Sequence, residues 1–196
     1  MLRALLASLV AIVVLTVVLG FGYPALMTGV AQVTMSHQAD GSLIKRNGTI
    51  VGSSLAAQGF TSSKYFHERP SATTPPYNPS FTTFSNLGPT NPALAKLVKQ
   101  NAGAILKLEG PYNSGLTIHQ IPVDAVVPSG SGIDPEISIA YADLQARRVA
   151  AVRHLPLTTV QELIKQHTVG RQLGFFGEAG VNVLNLNLAL DALGGK

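Results

Sequence analysis

The chain has 196 residues, with 14 Lys and Arg against 10 Asp and Glu, a net charge of +4, and no Cys or Trp. The missing cysteine excludes disulfides, thiol catalysis and thiolate metal sites, and the small, scattered positive excess forms no basic block of the kind that binds nucleic acid. The five histidines lie singly, never in an HExxH spacing, which leaves them solvated or capping roles.

No formal charge separates Arg3 from Asp40, and Ala4 to Leu19 is apolar except for Ser8 and Thr16. Continued to Tyr23, a helix here measures about 30 Å at 1.5 Å per residue, the thickness of a hydrocarbon core. The apolar run exceeds the ~7 to 15 residues of a cleaved signal. It predicts a retained transmembrane anchor over residues 1–27 and one domain over residues 28–196. Phe21 and Tyr23 followed by Pro24 predict that the helix leaves the bilayer there. Arg3 and the amino terminus are the only charges near either end, so the positive-inside rule predicts a cytoplasmic amino terminus and an extracytoplasmic domain. Small residues at Ala4, Ala7, Ser8 and Ala11 recur at three- and four-residue spacing, the pattern that lets another helix approach closely in lipid.

Ser42-Leu43-Ile44 and Thr49-Ile50-Val51 flank Asn47-Gly48, a type I′ hairpin signal, and a short apolar helix is predicted over Leu55 to Gln58. From Pro70 to Ala95 the chain is uncharged and rich in Pro, Ser and Thr. Tyr77, Phe81 and Phe84 make it an ordered loop, wrapped on a domain surface or a partner, and become candidate partner-binding residues. Asn91-Pro92 then starts a helix with Leu94, Leu97, Val98 and Ile105 as its buried stripe.

Asp134-Pro135 repeats that start signal, with Asp134 as cap of a helix running to about Arg153. Ile137, Ala140, Tyr141, Leu144 and Val149 are expected inside; Asp143, Gln145, Arg147 and Arg148 are expected mainly outside. A third helix is predicted from Thr158 or Thr159, with Gln161 and Glu162 as capping-box partners and Val160, Leu163 and Ile164 buried. Val181 to Leu184 reads as a strand, and Asn185 or Asn187 as the cap of a last helix to about Leu193. Strands and helices so mixed predict an α+β fold: one amino-terminal transmembrane helix followed by a single mixed domain.

Few motifs carry chemistry. Ser129-Gly130-Ser131-Gly132 before a helix suggests a phosphate cradle, but it lacks the Lys-Ser/Thr pair of a P-loop, and a tight loop is the better reading. Ser131 also lacks the outer glycine spacing of a nucleophile elbow. A membrane-tethered extracytoplasmic hydrolase using Ser129 or Ser131 with His154 or His119, or a cell-wall-binding module, are the rival functions.

Tyr65-Phe66-His67-Glu68-Arg69-Pro70-Ser71-Ala72, Ser85-Asn86-Leu87-Gly88-Pro89 with Asn91-Pro92, Ser129-Gly130-Ser131-Gly132-Ile133-Asp134-Pro135, Gln145-Ala146-Arg147-Arg148-Val149-Ala150, and Val181-Asn182-Val183-Leu184 with Leu186-Asn187-Leu188-Ala189-Leu190-Asp191 stand in this order. Together they resemble the C subunit of the Kdp-type potassium-transporting P-type ATPase, along the whole chain. The sequence departs from that family's pattern at Ala57, where glycine is usual, and at Glu136, where histidine is frequent. The resemblance implies a noncatalytic subunit of an ATP-driven, high-affinity potassium import complex in a bacterial or archaeal plasma membrane. It implies three partners: a potassium-binding channel-like subunit, a catalytic P-type ATPase subunit and a small single-span subunit. It implies help with assembly and with ATP binding by the catalytic subunit, no covalently bound cofactor, and ATP reached through the complex. Gln145 matches the glutamine that the family proposes as a nucleotide contact.

Overall fold

The uncharged amino-terminal sequence builds one continuous helix, Leu2–Thr34, in the computed structural model, which describes residues 1–194. It is α-helical over α1 (Leu2–Leu15) and α2 (Tyr23–Thr34), with a π-helical stretch, Thr16–Gly22, between them. The helix therefore does not end at Pro24. Proline lacks an N–H and its ring crowds the carbonyl four residues back, so the wider π turn just before it lets the helix pass through. At 33 residues the helix is about 50 Å long, more than a hydrocarbon core requires.

The chain divides into two units, Met1–Val51 and Gly52–Lys196. The first holds the long helix, a single further turn α3 (Ser36–Ala39) and strand β1 (Leu43–Arg46). β1 pairs with β2 (Thr49–Ser53) through the expected two-residue turn, where Asn47 and Gly48 take φ of 50° and 79°. The predicted helix over Leu55 to Gln58 is absent. Its backbone is committed elsewhere: the Ala57 N–H donates to the Ile133 carbonyl at 2.8 Å, and the Leu55 N–H to Ser53 Oγ at 3.1 Å.

In the second unit, α4 (Pro92–Glu109) starts as its sequence predicts, with Asn91 Oδ1 accepting from the Ala93 N–H at 2.9 Å. Burial is concentrated in its second half, at Ala102, Ile105 and Glu109. Leu94, Leu97 and Val98 are only half-buried. A three-stranded antiparallel sheet, β3 (Glu136–Ser138), β5 (Gly180–Asn182) and β4 (Thr168–Val169) in that order, pairs Ile137 with Val181 and Val181 with Thr168. On it pack α5 (Ile139–Arg153) and α7 (Val183–Leu193), and α6 (Leu157–Gln166) packs against these two helices. Phe66, Ile137, Tyr141, Val149, Val160, Ile164, Val181, Leu186 and Leu190 form their common core. This is the expected α+β fold.

Three helix starts differ from the sequence reading, two of them because another residue supplies the side-chain cap. The stretch after Asp134-Pro135 is strand β3, and α5 begins at Ile139 with Ser138 as cap, its Oγ accepting from the Tyr141 N–H at 3.0 Å. Asp124 fixes that serine, accepting from its N–H at 2.7 Å and its hydroxyl at 2.9 Å. Asp134 instead pairs with Arg69 at 3.0 Å. α6 starts at Leu157, where Pro156 presets the entry and no side chain caps. α7 is capped by Asn182, whose Oδ1 accepts from the Asn185 N–H at 3.0 Å and whose Nδ2 donates to the Ser54 carbonyl at 2.9 Å. Neither Asn185 nor Asn187 is the cap.

The uncharged segment after Pro70 folds as turns held by hydroxyls. Ser71 Oγ accepts from the Tyr77 N–H at 3.0 Å and donates to the Gly132 carbonyl at 2.6 Å. Thr83 N–H donates to the Ser131 carbonyl at 3.0 Å, so this segment and the Ser129 to Gly132 loop are stitched together. Gly132 has φ of 74°, and a Cβ there would meet Thr73 Cγ2 at 2.6 Å and the Thr83 carbonyl at 2.7 Å, so only glycine fits the junction.

Candidate functional site

A cluster of polar side chains is buried in the domain. Gln145 and Arg148 lie three apart on α5, hence on one face, and both are 0% exposed. The sequence places them outside; the structure corrects this. Their target is the irregular segment 63–67, whose backbone groups have no strand or helix of their own to bond with. Arg148 Nη1 donates to the Ser63 carbonyl and, at 2.9 Å, to the Tyr65 carbonyl. Its Nη2 donates to Gln145 Oε1 at 2.8 Å and its Nε to Glu109 Oε1 at 2.8 Å, an ion pair wholly shielded from solvent.

Two side-chain amides complete the clamp. Gln145 accepts from the His67 N–H at 2.8 Å and donates to the His67 carbonyl at 3.0 Å. Asn187 on α7 does the same for Phe66, at 2.9 Å in both directions. Each amide offers the paired donor and acceptor that a neighbouring strand would, so α5 and α7 hold consecutive residues as a ladder would. Further out, Tyr65 donates its hydroxyl to Asp191 Oδ2 at 3.0 Å, and Arg153 binds Asp191 Oδ1 at 2.9 Å while its guanidinium lies over the Tyr65 ring.

Burial dominates the electrostatics here. It lowers the His67 pKa, opposed by the bond from the ring to the Ser62 carbonyl and assisted by the Arg148 charge; the ring Nε2 donates to that carbonyl at 3.0 Å. Burial raises Glu109, with Arg148 pulling the other way. It raises Glu68 well above the ordinary carboxylate value; the backbone of Gln58 opposes and the Asp134 charge assists. The Tyr77 phenol is pushed up to about 12 by burial and then by Glu68.

The remaining expected site residues fall into three groups. Ala4, Ala7, Ser8 and Ala11 stand on the amino-terminal helix, none of whose residues is buried, and the Ser8 hydroxyl bonds back to the Ala4 carbonyl at 3.0 Å. Tyr77 is half-buried against its own domain, donating to the Arg69 carbonyl at 3.0 Å, whereas Phe81 and Phe84 are exposed. Ser129 is buried and its Oγ accepts from the Gly132 N–H at 2.9 Å; Ser131 Oγ accepts from the Ile133 N–H at 3.2 Å. Both hydroxyls shape the turn. Among the described residues no group of three His, Cys, Asp or Glu is placed to hold a metal ion. The outer face of α5 lines an open polar cleft of about 450 Å³ with Arg147, Asn113, Ser114 and Gln120, so the side chain that meets solvent is Arg147 and not Gln145.

Sequence reasoning missed Glu109, Asn187 and Asp124 as organising residues. A signal existed for the first: Ala102, Ile105 and Glu109 succeed one another at three- and four-residue spacing, so a carboxylate on that face demands a cation.

Fold and site define a class: an α+β domain with its polar centre turned inward, in a chain with one amino-terminal helix long and apolar enough to cross a membrane. Comparison with known proteins narrows it. A family model described as K+-transporting ATPase, c chain, matches residues 5–192. The chain is 50% identical over 192 residues to the potassium-transporting ATPase KdpC subunit of Sorangium cellulosum, covering 97% of this chain and 98% of that one. It is 48% identical over 187 residues to the KdpC subunit of Methylococcus capsulatus, covering 95% and 96%, and 46% identical over 191 residues to that of Mycobacterium tuberculosis, covering 97% and 99%. The chain belongs to the KdpC family and is a subunit of a potassium-transporting ATPase.

Proposed function

We propose that the chain is a noncatalytic accessory subunit that assists assembly of the transporter. The helix Leu2–Thr34 carries this reading: it is apolar over its first thirty residues apart from Arg3 and a few hydroxyls, none of it is buried, and the Ser8 hydroxyl is satisfied internally. Such a surface needs lipid or other helices around it, and the small residues Ala4, Ala7, Ser8 and Ala11 mark the side on which a helix of a partner approaches. The partners are a channel-like potassium-binding subunit, the catalytic P-type subunit and a small single-span subunit. The amino terminus is cytoplasmic, residues 1–27 anchor the chain, and residues 28–196 lie outside, because Arg3 stands alone at one end of an uncharged span.

Support for ATP binding by the catalytic subunit then passes through contacts between subunits. Gln145 has its oxygen and its nitrogen committed to His67 and Arg148 inside the domain, which favours a structural task for it over contact with nucleotide.

The experiment combines topology and assembly. A carboxy-terminal reporter active only outside the cytoplasm is expected to be active, and Ala7→Leu with Ala11→Leu is expected to lower recovery of partner subunits in mild detergent while the domain melts unchanged. An active cytoplasm-only reporter, or full recovery of partners with the double variant, contradicts the reading.

A further inference from the structure

Between β4 and β5 the chain runs out as a narrow hairpin. Gln172 and Phe176 exchange both backbone hydrogen bonds, each at 2.9 Å. Arg171 Nη2 donates to both carboxylate oxygens of Glu178, at 2.9 and 2.8 Å, closing the base of the hairpin. Leu173, Gly174 and Gly177 turn it, with φ of 53°, 84° and 78°. At the tip stand Leu173, 83% exposed, Phe175, 66% exposed, and Phe176, 57% exposed, with the two rings 4.1 Å apart. Scattered apolar residues are ordinary on a protein surface; three within four positions on a braced, protruding turn are not.

The same chain carries a helix fit to cross a bilayer, and only residues 35–51 separate that helix from the second unit. Fully extended they reach on the order of 60 Å, and less because α3 and the β1–β2 hairpin fold part of them. With the helix in a bilayer, this linker limits how far the second unit can move from the lipid, which raises the effective concentration of its exposed groups there. Phe and Leu are side chains that settle at the boundary of headgroups and acyl chains. The Arg171–Glu178 pair cancels its own charge, so the hairpin brings no net charge toward the apolar layer. Its order in advance means that little freedom is lost on insertion.

We propose that Leu173, Phe175 and Phe176 insert into the boundary between headgroups and acyl chains of the bilayer that holds the chain's own helix. The domain thus has a second membrane contact, which fixes its orientation above the lipid. This rests on the helix being membrane-embedded, and the test separates the two claims.

The chain itself has no tryptophan, so a single indole reports one site once the emission of the complex holding the parent chain is subtracted. Phe175→Trp is placed in the full chain, assembled with its partner subunits, in vesicles whose acyl chains are brominated. The expected result is a blue-shifted emission that loses most of its intensity to the brominated lipid and is protected from acrylamide. Leu173→Trp, at the most exposed tip position, is expected to behave alike and covers the case in which Phe175→Trp misfolds. Leu9→Trp monitors the helix: quenching there with none at either tip position overturns insertion alone, whereas no quenching at Leu9→Trp overturns the anchor as well. A shielded tip emission that brominated lipid does not quench also overturns the proposal, and assigns the tip to an apolar pocket of a partner subunit.

Discussion

The amino-terminal helix and α5 place polar groups in opposite ways. In the first, apolar side chains face outward over 33 residues, none is buried, and the hydroxyls of Ser8 and Thr34 fold back onto carbonyls of their own helix at 3.0 and 2.8 Å. In α5, seven residues are buried and two of them are Gln145 and Arg148. A helix in lipid must satisfy its polar groups within itself. A helix beside an irregular segment can spend side chains on that segment's backbone, and α5 does so for residues 63–67. Polarity in a helix thus signals exposure only when no unpaired backbone lies within reach.

The comparison breaks first at Arg148. Removing one member of a buried ion pair strands the other, so Arg148→Ala is expected to cost about 3 to 5 kcal/mol, read as a lowered denaturation midpoint of the full chain. The corresponding change in the amino-terminal helix, Ser8→Ala, is expected to leave the domain's midpoint unmoved. Asn187→Ala comes next. It leaves the buried Phe66 N–H and carbonyl without partners, at about 1 to 3 kcal/mol for each group, and hydrogen exchange at Phe66 should accelerate. The helix caps give a smaller contrast: Ser138→Ala is expected to cost about 1 kcal/mol, and Asp134→Ala less, since its pair with Arg69 is partly solvated. Equal losses, or a larger loss at Asp134, contradict the assignment of the cap.

The subtlest effect is on pH dependence. Burial raises Glu68 above its unfolded value of 4.5, so the folded state holds a proton that the unfolded state has released. That contribution is full below 4.5 and is lost as pH rises through the folded pKa. Glu68→Gln removes the linkage, and melting temperature plotted against pH is expected to fall less steeply toward alkaline pH in the variant than in the parent. Parallel curves would contradict the shifted carboxyl.

Much of the architecture is legible from local signals. The apolar run, the Asn47-Gly48 turn and the Asn91-Pro92 helix start each depend on neighbours in sequence, and each is present. Three of the misreadings share one cause: long-range partners. Asp134 carries the sequence signature of a cap, yet Ser138, oriented by Asp124 from 14 residues away, takes that task. Leu55 to Gln58 is apolar enough for a helix, yet Ile133 claims the Ala57 N–H. Gln145 sits among charged neighbours that read as a solvated face, but its partner is His67, 78 residues earlier. No periodicity within α5 carries that information.

The central claim is that the inward polar centre serves the fold while the helix and exposed surfaces serve the complex. Gln145→Ala in the assembled transporter tests it most directly, with thermal melting of the chain and the ATP dependence of potassium-stimulated hydrolysis measured on the same preparation. The account predicts a lowered melting temperature with an unchanged KM for ATP in those complexes that remain assembled. An unchanged melting temperature with a raised KM would place Gln145 at the nucleotide and contradict it.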